Sequence, residues 1–315
     1  MVNAWGNLPR VEGLLDVGEG QKIWWCELGS PEGIPLVVAH GGPGGGTVPA
    51  MAEPYDLDRF RVVMFDQRGC GNSLPHASDP TVPLTANTTQ HLVRDMERLR
   101  RSRGIDRWIV SGSSWGVALT LAYVCEHPER VRGVLLRGIT TCSAEELDWV
   151  YRDGANRLLP EAWEAFCSLA PDASTDLVAA YQQALENDSR RQAAALAWCR
   201  WELAGALAKP GSELEATLTE PRFAMCFARI STHYAANLGF IDQEALWSTI
   251  PTLGHIPATM IQGRFDLCTP PATAWRLHRQ WPNSTLHLLD DESHRLEGAA
   301  ATVRASLDEL ATRAI

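Results

Sequence analysis

The segment Gly112-Ser113-Ser114-Trp115-Gly116 sets a serine between two glycines in the spacing G-x-S-x-G. That spacing suits a nucleophile. The glycines permit a sharp strand-to-helix turn that lifts the central hydroxyl clear of the backbone. The helix beginning just after it offers free N–H groups to a developing oxyanion. Ser114 is the central serine, and Ser113 reads as its structural neighbour. Upstream, residues 40–46 read His-Gly-Gly-Pro-Gly-Gly-Gly, a loop whose backbone N–H groups can face a ligand with no side chain between them. Its expected role is the second half of an oxyanion hole, with the Gly42 N–H beside that of Trp115. Phosphate binding is the rival reading of any glycine-rich loop, but the G-K-[ST] ending and the G-x-G-x-x-G spacing are both missing. His40 is expected to hold this loop in place.

A serine hydroxyl needs a base, and the base needs an orienting carboxylate. In one chain order of that constellation, an acid and then a histidine follow the serine, each in a loop after a late strand. Asp266 follows ATMIQGRF and His294 follows TLHLLDDES, which meets that requirement. Asp290, Asp291 and Glu292 share the histidine's own loop. His278 and His287 fall within an expected helix and an expected strand.

These residues need a rigid frame. Short apolar runs at 22–28, 35–39, 61–65, 108–111, 131–136, 258–262 and 285–289 read as strands, several ending in Gly or Asp. Such runs suit a parallel sheet covered on both faces. Helical spacing recurs between them at 88–101, 115–127, 273–280 and 299–313, with Asn87 as the expected N-cap of the first. Alternation of this kind implies an α/β fold. From about 142 to 247 no strand is legible, and AWEAFCSLA and QQAALAWCRWELAGAL carry helical spacing. The expected organisation is a core of 1–140 and 251–315 with an all-helical cap at 141–250 over the C-terminal edge of the sheet.

Composition narrows the function. The formal net charge of the 315 residues is -10, which argues against a nucleic-acid partner. No apolar run approaches the ~18 residues of a spanning helix, so no membrane partner is expected. The N-terminus has no basic region followed by an apolar run, the pattern of a secretory signal. The eight cysteines are scattered with no CxxC pair. They fit neither a disulfide framework nor a zinc pattern, and the expected setting is a reduced, cytoplasmic one. No metal or organic cofactor is expected, and the oligomeric state is not legible.

HGGPGGG, FDQRGCGNS (65–73), GSSWG, LRGI (136–139) and QGRFDLCTP (262–270), together with WCRWE (198–202), closely resemble the proline iminopeptidase branch of the α/β-hydrolases. The resemblance implies the α/β-hydrolase fold, a mostly parallel sheet flanked by helices with an inserted helical cap. It implies release of an N-terminal proline through an acyl-enzyme, with Ser114, Asp266 and His294 as the triad. It also implies that Glu202 reads the free imino group, a sound use of charge because a buried ammonium requires a paired anion.

The departures from that pattern fall on recognition. Ser231 stands where the family carries a second amine-binding glutamate, and Thr140 stands where it carries a phenylalanine after LRGI. Val150 takes the position of another family aromatic, and Arg295 adds a positive charge beside His294. A pocket that loses aromatic walls and one of two anions is wider and less selective for proline. The expected substrate is therefore a short peptide or a small molecule. The expected function is a serine hydrolase of the proline iminopeptidase type. The alternative is a hydrolase repurposed for a non-peptide ester or amide, and behind it a non-catalytic binding protein on this fold. Epoxide hydrolase or dehalogenase chemistry would want Asp at position 114.

Overall fold

The computed structural model describes residues 10–169, 176–207 and 211–313. The chain runs β1 (Arg10–Gly18), β2 (Gln21–Gly29), β3 (Ile34–Ala39), β4 (Phe60–Phe65), α1 (Thr89–Ser102), β5 (Trp108–Ser113), α2 (Trp115–Glu126) and β6 (Val131–Arg137). Helices α3 (Ala144–Tyr151), α4 (Pro160–Cys167), α5 (Leu177–Glu186), α6 (Arg191–Gly205), α7 (Glu213–Leu218), α8 (Pro221–Ala235) and α9 (Gln243–Thr249) follow. The chain then returns to the sheet with β7 (Ala258–Gly263), α10 (Pro271–Gln280), β8 (Ser284–Leu289) and α11 (Ala300–Arg313).

The strands form one eight-stranded sheet in the order β1-β2-β4-β3-β5-β6-β7-β8. The pairs β1·β2 and β2·β4 are antiparallel, and the others are parallel. The continuous apolar runs have a direct cause. Alternate residues of one strand feed two separate cores, as period-two side-chain geometry requires when both faces are covered. Val37 and Ala39 of β3, Val63 and Phe65 of β4, and Val110 of β5 join the core that includes α1, α2 and α10. Leu36, Val38, Val62, Met64 and Ile109 point the other way, into the core that α11 closes with Val303, Leu307 and Leu310.

Every expected strand forms, and β1 adds one that the sequence reading missed. Its RVEGLLDVG pattern contains a glycine, and Val11 and Leu14 stay exposed because β1 is a sheet edge. It joins β2 through Glu19 and Gly20, both at positive φ (58° and 73°), a tight hairpin turn. Asn87 is not the N-cap of α1, which is Thr88. Its side chain is instead spent between segments, donating to Arg68 O (2.9 Å) and accepting from the Tyr234 hydroxyl of α8 (2.8 Å).

Between β6 and β7 the described residues form helices, and α4–α8 make an insert with its own core. Phe166, Tyr181, Trp198 and Trp201 stack there, with ring centroids 4.5–5.7 Å apart in the stacked and tilted pairs around Phe166. The insert is fastened to the sheet layer through α8. Arg229 donates to the carbonyls of Ala77, Asp79, Pro80 and Val82, and Cys226, Ile230 and Tyr234 reach into the main core. Helix α9 belongs with the sheet layer, since Leu246 joins that same main core.

Candidate active site

The end of β5 and the start of α2 build the turn that carries Ser114, whose φ of 55° and ψ of -126° lie where a side chain is strained. The flanking glycines are required by space. A Cβ on Gly116 would lie 2.1 Å from Ala39 O, and one on Gly112 would lie 2.4 Å from Gly116 O. Any side chain at either position would push β3, β5 and α2 apart.

Two loops at the same sheet edge complete the arrangement. His294 Nε2 lies 3.1 Å from Ser114 Oγ, and its Nδ1 lies 2.9 and 3.0 Å from the carboxylate oxygens of Asp266. Asp266 is buried and well served by donors. It accepts from the N–H groups of Cys268 (3.0 Å) and Thr269 (2.7 Å), the Thr269 hydroxyl (2.7 Å) and the Gln262 amide (3.0 Å). Burial pushes this carboxyl up, but the facing His294 and the Thr269 bonds outweigh it and hold it below the usual range. Burial pulls His294 down, yet the charge and hydrogen bond of Asp266, together with the charge of Glu202, leave it above the ordinary histidine value. The arrangement can pass a proton from Ser114 Oγ to Nε2 while Asp266 fixes Nδ1–H and stays ionised.

Trp115 opens α2, so its backbone N–H has no intrahelical acceptor and is free to serve an anion. The glycine-rich loop approaches the same point, since a Cβ on Gly41 would lie 3.3 Å from Ser114 Cβ. His40 is buried, with Nδ1 2.8 Å from Gly41 O and Nε2 accepting the Gln67 N–H at 3.1 Å. Asp66 holds the next stretch, accepting from the Thr47 N–H and hydroxyl and from the Asn72 N–H.

The structure brings the sequence-expected residues to one pocket. Gly42, Ser114, Trp115, Thr140, Val150, Glu202 and Ser231 all line it. Ser231 is buried, and its hydroxyl makes a long 3.4 Å bond to Ala228 O. Arg295 is paired with Glu297 at 2.8 Å, which offsets its charge. Other residues lining the pocket were not singled out from sequence: Tyr151, whose hydroxyl donates to Glu202 Oε1 at 2.6 Å, and Cys142, Cys268, Glu146 and Tyr234. Tyr151 lies one position from Val150, but nothing in a helical pattern announces that two consecutive residues both line a pocket. Burial raises Glu202 above the usual carboxylate range, opposed by the Tyr151 bond and the charge of His294. Glu146 is spent locally, accepting from Thr141, Ser143 and Thr273.

Donor atoms of Asp266, Cys268 and His294 come within 4.8 Å of one another, a spacing that a metal ion could use. The Asp266 oxygens are already filled by Thr269, Cys268 and Gln262, and His294 Nε2 faces Ser114. The group is thus arranged as a hydrogen-bonded relay. Among the described residues, no helix is long and apolar enough to cross a membrane.

A family model described as alpha/beta hydrolase fold matches residues 34–296. The chain is 41% identical over 291 residues to a protein from Arabidopsis thaliana named proline iminopeptidase, covering 91% of this chain and 75% of that one. It is 42% identical over 294 residues to a probable proline iminopeptidase from Streptomyces coelicolor, covering 91% and 90%. Among solved structures, that of proline iminopeptidase from Mycobacterium smegmatis superposes with a TM-score of 0.68 over 97% of this chain and 100% of that one. At 21% identity this likeness speaks to the fold.

Proposed function

The chain belongs to the proline iminopeptidase family of α/β-hydrolases, and from that membership we propose that it is an aminopeptidase releasing an N-terminal proline, or a similar residue, from a short peptide. The observation that carries the reading is the 3.1 Å contact of His294 Nε2 with Ser114 Oγ, in a pocket that also holds Glu202. Ser114 Oγ attacks the carbonyl carbon while its proton passes to His294 Nε2. The Gly42 and Trp115 N–H groups take the oxyanion. His294 then gives the proton to the leaving amine, and the acyl-enzyme remains. A water, deprotonated by the same nitrogen, cleaves that ester and frees Ser114. The protonated imino end lies beside Glu202, which supplies its counter-charge.

A second reading is favoured by Thr140, Val150 and Ser231, which line the pocket with neither an aromatic ring nor a second amine-reading carboxylate among them. On that reading the same acyl transfer serves a non-peptide ester or amide. We further propose that the segment expected as the cap, 141–250, covers the pocket. Val150, Glu202 and Ser231 lie within that segment and line the pocket, which supports this reading. The eight free thiols support a reducing, cytoplasmic setting.

The test has two arms. Fluorophosphonate labelling followed by intact mass, on wild type and Ser114→Ala, reads the nucleophile. Turnover of prolyl p-nitroanilide reads the substrate. Labelling that depends on Ser114 together with prolyl turnover supports the aminopeptidase. Labelling without prolyl turnover moves the reading to the second, and an unlabelled wild type favours a binding protein.

A further inference from the structure

We infer that Tyr151 is a positioning residue that holds Glu202 as the anionic end of the pocket and so selects acyl groups bearing a protonated amine. The inference rests on the aminopeptidase reading above. Trp198 and Glu202 lie four residues apart on α6, and therefore on one face of it. Tyr151, the last residue of α3, lies along that face and touches both. Its ring stacks on Trp198 with centroids 4.8 Å apart and an interplanar angle of 26°, and its hydroxyl donates to Glu202 Oε1 at 2.6 Å. Trp198 is fully buried, so the stack has a fixed base.

The tyrosine is fixed from the other side as well. Trp149, two residues earlier, donates its indole N–H to Leu267 O at 2.8 Å, next to Asp266. Helix α3 thus links the loop that carries Asp266, through Trp149, to the helix that carries Glu202, through Tyr151. The ionisable groups facing Glu202 are Tyr151 from α3, His294 from the loop before α11, Cys199 from α6 and Cys268 from the loop after β7. Of these, Tyr151 makes the described hydrogen bond to the carboxylate. Burial drives the phenol well above its ordinary range, so it stays a donor. With Oε1 held by the phenol, Oε2 is oriented for a substrate N–H. Without the hydroxyl, the carboxylate loses both its orientation and a bond that favours its ionised form.

Tyr151→Phe removes one oxygen and keeps the ring on Trp198. Two substrates separate selection from general damage: prolyl p-nitroanilide, and p-nitrophenyl cyclopentanecarboxylate, which has the same ring size and no nitrogen. The expected result is an approximately tenfold loss in kcat/KM for the prolyl amide, the scale of a hydrogen bond to a charged group, carried mainly by KM. The acid limb of its pH profile moves to higher pH, and the ester, which has no ammonium for Glu202 to pair, loses much less. Equal loss on both substrates, or no loss on either, overturns the role. If wild type turns over the ester but not the amide, the aminopeptidase reading fails and the selective role falls with it. If wild type turns over both and the variant matches it, only the Tyr151 inference fails.

Discussion

The indole N–H of Trp115 donates to the side-chain carbonyl of Gln67 at 2.8 Å, and the same amide donates through its nitrogen to His40 O at 3.0 Å. One buried side chain therefore ties the residue after Ser114 to the first residue of the glycine-rich loop. The N–H groups proposed to share an oxyanion sit on segments that this amide keeps in register. Such preorganisation counts because the donors must already be aimed where charge develops.

Replacing Gln67 with Leu removes both bonds and leaves the Trp115 indole N–H and His40 O buried without partners. Each orphaned group costs about 1–3 kcal/mol. The expected outcome is a lowered urea midpoint and a fall in kcat larger than any rise in KM. Steady-state kinetics and urea unfolding on the same preparation check it. Unchanged kcat in a destabilised variant would make the bridge purely structural.

The sheet was legible because its signal is local. Residues 36–39 and 62–65 are apolar and buried at every position, as a short strand covered on both faces requires. Ser114, Asp266 and His294 were legible because each sits at a strand end marked by Gly or Asp. The Gln67 bridge and the Tyr151–Glu202 bond were not legible. The first joins residues 48 and 27 positions apart, and the second spans 51. No periodicity encodes which polar side chain crosses between segments. The same blindness misassigned Asn87: a residue well suited to cap a helix is used to bind Tyr234 instead.

The charge of Glu202 helps to hold the His294 proton. The proposed base must be neutral to accept from Ser114, so activity falls as pH drops through the His294 pKa. Glu202→Gln removes a negative charge, lowers that pKa, and so moves the acid limb of kcat/KM to lower pH. The neutral ester is the right substrate, because it does not depend on Glu202 for recognition. A limb that stays put in pH-rate profiles would show that the two groups are not coupled.

Stability should carry its own pH signature through Glu97 on α1. This nearly buried carboxylate accepts two bonds from Arg100 and one from the Tyr123 hydroxyl of α2. Burial raises its pKa, but those bonds prevail and lower it from 4.5 to about 2. On acidification the unfolded chain binds this proton first. The contribution is therefore full above the unfolded value and is lost as pH falls through the folded one. The shift corresponds to at most about 3 kcal/mol. In urea titrations, wild type should exceed Glu97→Gln at pH 7, and the gap should shrink between pH 4.5 and 2. A gap independent of pH would refute it.

Ser231 is the position at which recognition can be reversed. It is 3% exposed, it lines the pocket with Glu202, and among the described residues its hydroxyl makes a single long bond of 3.4 Å, to Ala228 O. A carboxylate placed there gives a bound ammonium a second counter-charge in a site with little water to screen it. Pairing of that kind is worth several-fold to a hundred-fold in affinity, about 1–3 kcal/mol. Without the ammonium, two neighbouring carboxylates repel, and one of them takes up a proton. Ser231→Glu should therefore raise kcat/KM for prolyl p-nitroanilide relative to the neutral cyclopentane ester, and the gain should fade as pH falls and the pair protonates. Ester turnover reports whether the variant has kept its fold. If the ester is still hydrolysed and the prolyl amide gains nothing, the pocket is not built around a cation. The natural substrate would then be sought among neutral esters and amides.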